Sequence, residues 1–163
     1  MEDILNSYPA RYYDLTKLSA LRVRPMEIGR LCVDQHTRDP LLLLVAFKYI
    51  QSIVSSREIN FIFGCTSFAG ADNPQHLAAL NSLEKNQIAS SSFAIKRKSS
   101  KVLDIKKNFI RARESKKANN FLPPLLRFYL SLGGRVSDHA VIDKDLDTLH
   151  VFTYVDLKEK KNH

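Results

Sequence analysis

Residues 26–67 read MEIGRLCVDQHTRDPLLLLVAFKYIQSIVSSREINFIFGCTS, and the alternation of short and long apolar runs in this stretch decides the fold. MEIGRLCV, residues 26–33, is short, apolar and carries β-branched residues, which reads as a strand. The polar segment after it ends in Asp39-Pro40, a good N-cap followed by a good first helical residue. A helix is therefore expected over residues 40–55, where Leu41, Leu44, Val45 and Lys48 recur at helical spacing. Leu42, Leu43 and Phe47 make it apolar nearly all round, so it should be largely buried. INFIFGCTS, residues 59–67, reads as a second short strand. Two strands joined by a helix of this length form a βαβ crossover and should lie parallel.

Outward from this unit the punctuation is clear. Residues 1–24 are mixed and end at Pro25, which removes a backbone donor and marks a boundary. Asn73-Pro74 repeats the cap-then-proline signature and starts a helix expected over residues 73–83. Residues 86–120 are rich in Ser, Lys and Asn and read as a long basic, mobile excursion with a turn or helix inside it. After Pro123-Pro124, LLRFYLSL reads as a helix closed by Gly133-Gly134. Two final strands, near 135–141 and 148–157, flank the acidic turn DKDLD. In the second, Leu149, Val151, Thr153 and Val155 alternate with His150, Phe152, Tyr154 and Asp156; apolar residues on both faces predict a central strand. The predicted order is β-α-β-α-α-β-β, an α/β sheet.

The chain has 163 residues, suited to one domain, and its 44% hydrophobic and 26% charged content is that of a globular protein. No apolar run approaches the ~20 residues of a membrane span. The N-terminal MEDILNSYPARYY lacks the apolar core of a secretory signal. Cys32 and Cys65 are too few for a disulfide framework and have no metal-ligand spacing, so a reduced, cytoplasmic protein is expected. A net charge of +8 favours anionic partners, and between Lys96 and Lys117 ten Lys or Arg residues face two acids, Asp104 and Glu114. A solvated face explains that run equally well.

Glu27 is the best catalytic candidate, a carboxylate inside an otherwise apolar strand. Burial disfavours the charged form and suits a general base that takes a proton from an amine; a Glu at an exposed strand end is the plainer alternative. Arg30 lies three residues on, on the opposite face of a regular strand, unless a bulge at Gly29 turns both toward one site. The segment 34–39 ends at a helix start, where free N–H groups and Arg38 could hold phosphate, although a simple N-cap accounts for it too. His76, His139 and His150 are scattered without ligand spacing, so no metal is expected.

PMEIGRLCVDQHTRD, FIFGCTSFAGADNPQHLAAL, LPPLLRFYLSLGGRVSDHAVID and LDTLHVFTYVD resemble, in order, successive blocks of the ornithine N-alpha-acyltransferases. These GNAT-superfamily enzymes are often labelled hemolysin-like, and the resemblance runs from Tyr13-Asp14-Leu15 to about Leu157. It implies a GNAT-like acyl-CoA N-acyltransferase fold, a mixed sheet with helices on both faces. It also implies transfer of a 3-hydroxyacyl group from acyl carrier protein to the alpha-amino group of ornithine, giving lyso-ornithine lipid. No metal, cofactor or covalent enzyme intermediate is implied. The E-x-x-R pattern of Glu27 and Arg30 is similar to that of acyl-homoserine-lactone synthases, which also use carrier-protein donors. The loop and helix start after this strand would hold the donor's phosphopantetheine, placing Val33, Arg38 and Asp39 at the donor site. Arg38 is followed by Asp39-Pro40 with no glycine, unlike the coenzyme A phosphate loop of other GNAT proteins. The basic stretch would dock acyl carrier protein or the anionic inner membrane face. Members of the family carry further strands and helices before this point, so the chain is expected to be an N-terminally truncated domain. An inactive fragment or interaction module is the rival reading; a nucleic-acid binder ranks third, because no binding motif accompanies the basic run.

Overall fold

Short local turns bring the chain to its sheet. The structure, a computed structural model, describes residues 4–29, 31, 40–83, 85–89, 93, 95–105 and 121–158. Two 3-10 turns, Ile4–Asn6 and Pro9–Arg11, lead into strand β1 (Tyr13–Asp14) and helix α1 (Thr16–Ser19). Then come β2 (Pro25–Glu27), α2 (Pro40–Ser56), β3 (Phe61–Ala69) and α3 (Pro74–Asn81). A 3-10 turn at Lys85–Gln87 precedes β4 (Lys96–Arg97) and β5 (Val102–Asp104), and the chain closes with α4 (Pro124–Ser131), β6 (Arg135–Asp143) and β7 (Thr148–Asp156). Strands β4 and β5 fall within the segment read as an excursion; residues 106–120 lie outside the described residues.

The predicted crossover is present, with β2 parallel to β3, Pro25 opposite Phe61 and Glu27 opposite Phe63. The main sheet has the order β2-β3-β7-β6-β5, and its other pairings are antiparallel. β1 and β4 form a separate antiparallel pair. β7 lies inside the sheet, as its two-sided apolar pattern requires. Phe152 and Tyr154 pack with Tyr13, Leu18, Phe61 and Phe63 on one face. Leu149 and Val151 pack with Leu80 of α3 and Leu126 of α4 on the other. The short helix α1 and the N-terminal turns thus cover one face and α2, α3 and α4 the other, consistent with the helices on both faces that the GNAT-like resemblance implies. Each fully buried leucine here contributes roughly 2 kcal/mol through the apolar area it removes from water.

Local chemistry sets the element ends. The Asn73 side chain accepts from the Gln75 amide at 3.0 Å, capping α3 as predicted. Gly133 adopts φ 74°, which lets the Gly133 and Gly134 amides turn back to the carbonyls of Leu130 and Tyr129, both at 2.9 Å. Between Val136 and Ala140 the β6–β7 register slips. The Ser137 hydroxyl fills the break, donating to the His139 carbonyl at 2.7 Å and accepting from the Phe152 amide at 3.2 Å.

One expectation is corrected. α2 is not largely buried: Leu41, Val45 and Tyr49 are 61, 62 and 68% exposed. The helix docks by one stripe, with Ile50 and Val54 against the cluster of Ile62, Tyr129 and Val155, and Phe47 stacked on Phe128 at 3.8 Å. A helix lying on a sheet buries only the side that meets it. An apolar circumference records a demand for cover, not which neighbour meets it. β2 also ends at Glu27, although the Ile28 amide still donates to the Phe63 carbonyl at 2.8 Å; residues 30, 32 and 33 of the expected strand lie outside the described residues.

Candidate active site at the β2–β3 edge

The seam between β2 and β3 closes around a missing side chain. A Cβ on Gly64 would lie 2.3 Å from the Ile28 carbonyl oxygen and 3.1 Å from the Tyr129 hydroxyl. Glycine alone permits that approach. The same gap admits the phenol of Tyr129, carried on α4 from the opposite layer. Its hydroxyl is buried and finds no partner among the described residues. Burial, reinforced by Cys65 and Glu27, pushes the phenol well up, so it stays protonated at neutral pH.

Glu27 stands at the end of β2, half-buried. Its Oε1 accepts from the Tyr8 backbone amide at 3.2 Å. A Cβ on Gly29 would stand 3.2 Å from that same oxygen, so the bare backbone at 29 leaves the carboxylate its place. Cys65 lies on the neighbouring strand, and its thiol is pushed far up by burial and then by the charges of Glu27 and Asp143. Both carboxylates therefore act on one thiol, which is no thiolate at neutral pH.

Asp143, at the end of β6, is the second carboxylate of this face. Burial works against its charge, but bonds from the Leu146 amide, the Tyr12 hydroxyl and the Asp145 amide outweigh it and hold the carboxyl below its usual range. Tyr12 donates to Oδ2 at 3.0 Å and Tyr8 at 3.4 Å. The Tyr12 phenol is raised by its contact with Tyr8, by burial and by Asp143. Behind them His150 is pushed down to about 4 by burial, only partly offset by Asp143, and is neutral at pH 7. Its Nδ1 meets the Tyr13 hydroxyl at 3.1 Å.

Of the residues singled out from sequence, Glu27 falls at this edge; Arg30, Val33, Arg38 and Asp39 lie outside the described residues. Tyr8, Asp143 and Tyr129 were missed. The turn DKDLD read only as a connection, and Tyr129 read as one aromatic in an apolar helix. Gly64, inside an apolar strand run, was the available signal for a close approach. In the basic segment Arg97 pairs with Asp104, and Lys98 Nζ donates to the Ala10 carbonyl at 2.6 Å, whereas Lys96 and Lys101 are exposed. His76 contacts the Ala69 carbonyl at 2.7 Å, and His139 and His150 are buried. No cluster of three metal-ligating side chains occurs among the described residues, and no described helix is long and apolar enough to cross a membrane.

Fold and site together define a class: an α/β protein with a mixed five-stranded sheet, whose short parallel edge pair gathers a carboxylate, a protonated thiol and a protonated phenol. Sequence comparison finds the chain similar, over most of its own length, to proteins named L-ornithine N(alpha)-acyltransferase, as the ordered blocks implied. It is 31% identical over 153 residues to the protein of that name from Brucella abortus (strain 2308), covering 93% of this chain and 54% of the relative. The corresponding Rhodobacter capsulatus protein is 29% identical over 144 residues, covering 88% and 55%. That from Rhizobium meliloti is 30% identical over 128 residues, covering 78% and 43%. The chain spans about half the length of these relatives. No family model and no solved structure matches it.

Proposed function

We propose that this chain carries the acyl-transfer portion of an L-ornithine N(alpha)-acyltransferase. It would move a 3-hydroxyacyl group from acyl carrier protein to the alpha-amino group of ornithine, with lyso-ornithine lipid as product. The observation that carries the reading is Glu27 at the β2–β3 edge, within a chain similar nearly end to end to relatives of that name. Glu27 takes the proton of the attacking amine. The amine nitrogen bonds to the thioester carbonyl carbon, the carbon–sulfur bond breaks, and the departing thiolate takes a proton from the Tyr129 hydroxyl, which is made good as Glu27 gives up the proton it took, so both groups end as they began. Cys65, held as a thiol, is a poor nucleophile, which favours direct transfer over an acyl-enzyme.

Val33, Arg38 and Asp39 are assigned to the donor's phosphopantetheine, and Arg30 to catalysis with Glu27. Lys96 and Lys101, exposed on the basic segment, are the described cations best placed to steer an acidic carrier protein or to meet an anionic membrane face. The test is product identification. The purified chain, alone and mixed with the unmatched half of the Brucella abortus relative, is given L-ornithine and 3-hydroxyacyl carrier protein, and the products are read by mass spectrometry. N-alpha-acylornithine is expected. Acylation only of the side-chain amine, or no acylation in either mixture, contradicts the proposal and leaves the inactive-module reading.

A further inference from the structure

We propose that Asp143 is a positioning residue for Glu27, acting across the sheet through Tyr8 and Tyr12; the inference rests on the reading of Glu27 as the base. Tyr8 makes two bonds in opposite directions. Its backbone amide donates to Glu27 Oε1 at 3.2 Å, and its hydroxyl donates to Asp143 Oδ2 at 3.4 Å. Tyr12 donates to the same Asp143 oxygen at 3.0 Å. The Pro9–Arg11 turn fixes their spacing, because the Arg11 amide donates to the Tyr8 carbonyl at 3.1 Å and the Tyr12 amide to the Pro9 carbonyl at 3.0 Å. The two rings touch at 5.4 Å between centroids, and Tyr12 stands edge-on to His150 at 4.9 Å.

Asp143 is a fixed reference for these bonds. Its Oδ1 is pinned by the amides of Asp145 and Leu146 at 3.0 and 3.2 Å, so Oδ2 presents one orientation to the two phenols. Hydrogen bonds to an ionised oxygen are roughly twice as strong as neutral ones. The turn is tied again at the Ala10 carbonyl, which accepts from Lys98 Nζ at 2.6 Å. The β6–β7 hairpin therefore sets where the Tyr8 amide lies, and the Tyr8 amide sets where one Glu27 oxygen lies. A latch that merely closed the N-terminal segment would give the same bonds to Asp143 but would leave the state of Glu27 indifferent to them.

The decisive variant is Tyr8→Phe with Tyr12→Phe, which keeps both rings and both carboxylates. Tyr12→Phe alone removes only the shorter bond and guards against a variant that fails to fold. Amide hydrogen exchange of the full chain by NMR reads the bond at residue 8, with Glu27→Ala as the measure of its complete loss. The proposal expects exchange at residue 8 to quicken at least tenfold in the double variant, toward that of Glu27→Ala, while Gly64 and Phe152 amides exchange as before. In the transfer assay kcat should fall about tenfold with KM for ornithine unchanged, the pattern of a misplaced catalytic group. Unaltered exchange at residue 8 in a folded double variant, or in Glu27→Ala, overturns the proposal. So does a kcat that stays constant in the double variant while Glu27→Gln lowers it. If Glu27→Gln itself leaves kcat unchanged, the reading of Glu27 as base has failed, and the two failures are told apart.

Discussion

The middle of the sheet and its β2 edge are built on opposite plans. β3, β7 and β6 pair through nine-residue strands, with β3 and β7 in unbroken register from Phe61–Asp156 to Ala69–Thr148. β2 pairs over only Pro25, Met26 and Glu27 and then closes on β3 through a gap that needs Gly64. The long ladders are packed by apolar side chains on both faces and hold the shape. The short edge leaves room for groups reaching in from different layers: Glu27 in the strand, Tyr129 from α4 and Tyr8 from the N-terminal turn. On the proposed reading, chemistry collects where the ladder gives out, and the β6–β7 hairpin supplies its reference point at Asp143. Substitutions in the middle and at this edge should therefore fail in different ways.

Apart from loss of the base itself, the largest effect expected belongs to the rigid middle of the sheet and concerns pH. His150 has a folded pKa near 4, below the ordinary value of 6.5, so it binds its proton more readily in the unfolded chain. The stability it contributes is complete above pH 6.5 and is lost as pH falls toward 4, about 3 kcal/mol in all. Denaturant melts of His150→Gln should show a flattened slope across that window; an unchanged slope would mean that His150 is not the group responsible. Slightly smaller is the effect of Tyr129→Phe at the edge. It should slow transfer roughly a hundredfold, as for loss of a general acid. The melting temperature should hold or rise, since an unpartnered buried hydroxyl is removed. Equal losses of rate and stability would move Tyr129 from chemistry to packing.

Gly64→Ala should cost about 2 kcal/mol of stability, because backbone on β2 must move to admit a methyl group. Gly29→Ala meets the Glu27 side chain first, at 3.2 Å, and should leave stability nearly intact while lowering transfer. A Gly64→Ala protein as stable as wild type would show that the seam is looser than described here. The smallest effect is expected from Lys96→Glu with Lys101→Glu. Stability should change by no more than about 0.5 kcal/mol, since both are exposed. Carrier-protein affinity should weaken at low salt and recover its wild-type value at high salt. Affinity that ignores the reversal would reduce these lysines to a solvated face.

Much of this contrast was legible in the sequence. Apolar runs 26–33 and 59–67 around a capped helix gave the parallel pair, and the two-sided pattern from Leu149 to Val155 gave the central strand. Asn73 and Gly133-Gly134 marked helix ends through their own local chemistry. The rest depends on contacts between distant residues, which a linear pattern does not encode. The exposed flank of α2 could not be told from a buried one, because an apolar helix looks alike whether or not a neighbour covers it. β4 and β5 were hidden in a basic composition, since pairing with β1 and β6 orders them and intrinsic propensity does not. Glu27 stood out as a carboxylate among apolar residues. Tyr8, Asp143 and Tyr129 did not, because each is ordinary in its own segment and gains meaning only where the sheet brings it to the edge.

The central claim is that acyl transfer occurs at the β2–β3 edge with Glu27 as the base. Its most direct test is single-turnover transfer by Glu27→Gln against wild type, in protein that supports N-alpha-acylation of ornithine, with thermal melts of both alongside. The rate should fall by ~10²–10⁴-fold at an unchanged melting temperature. Transfer at the wild-type rate by a folded Glu27→Gln protein would contradict it.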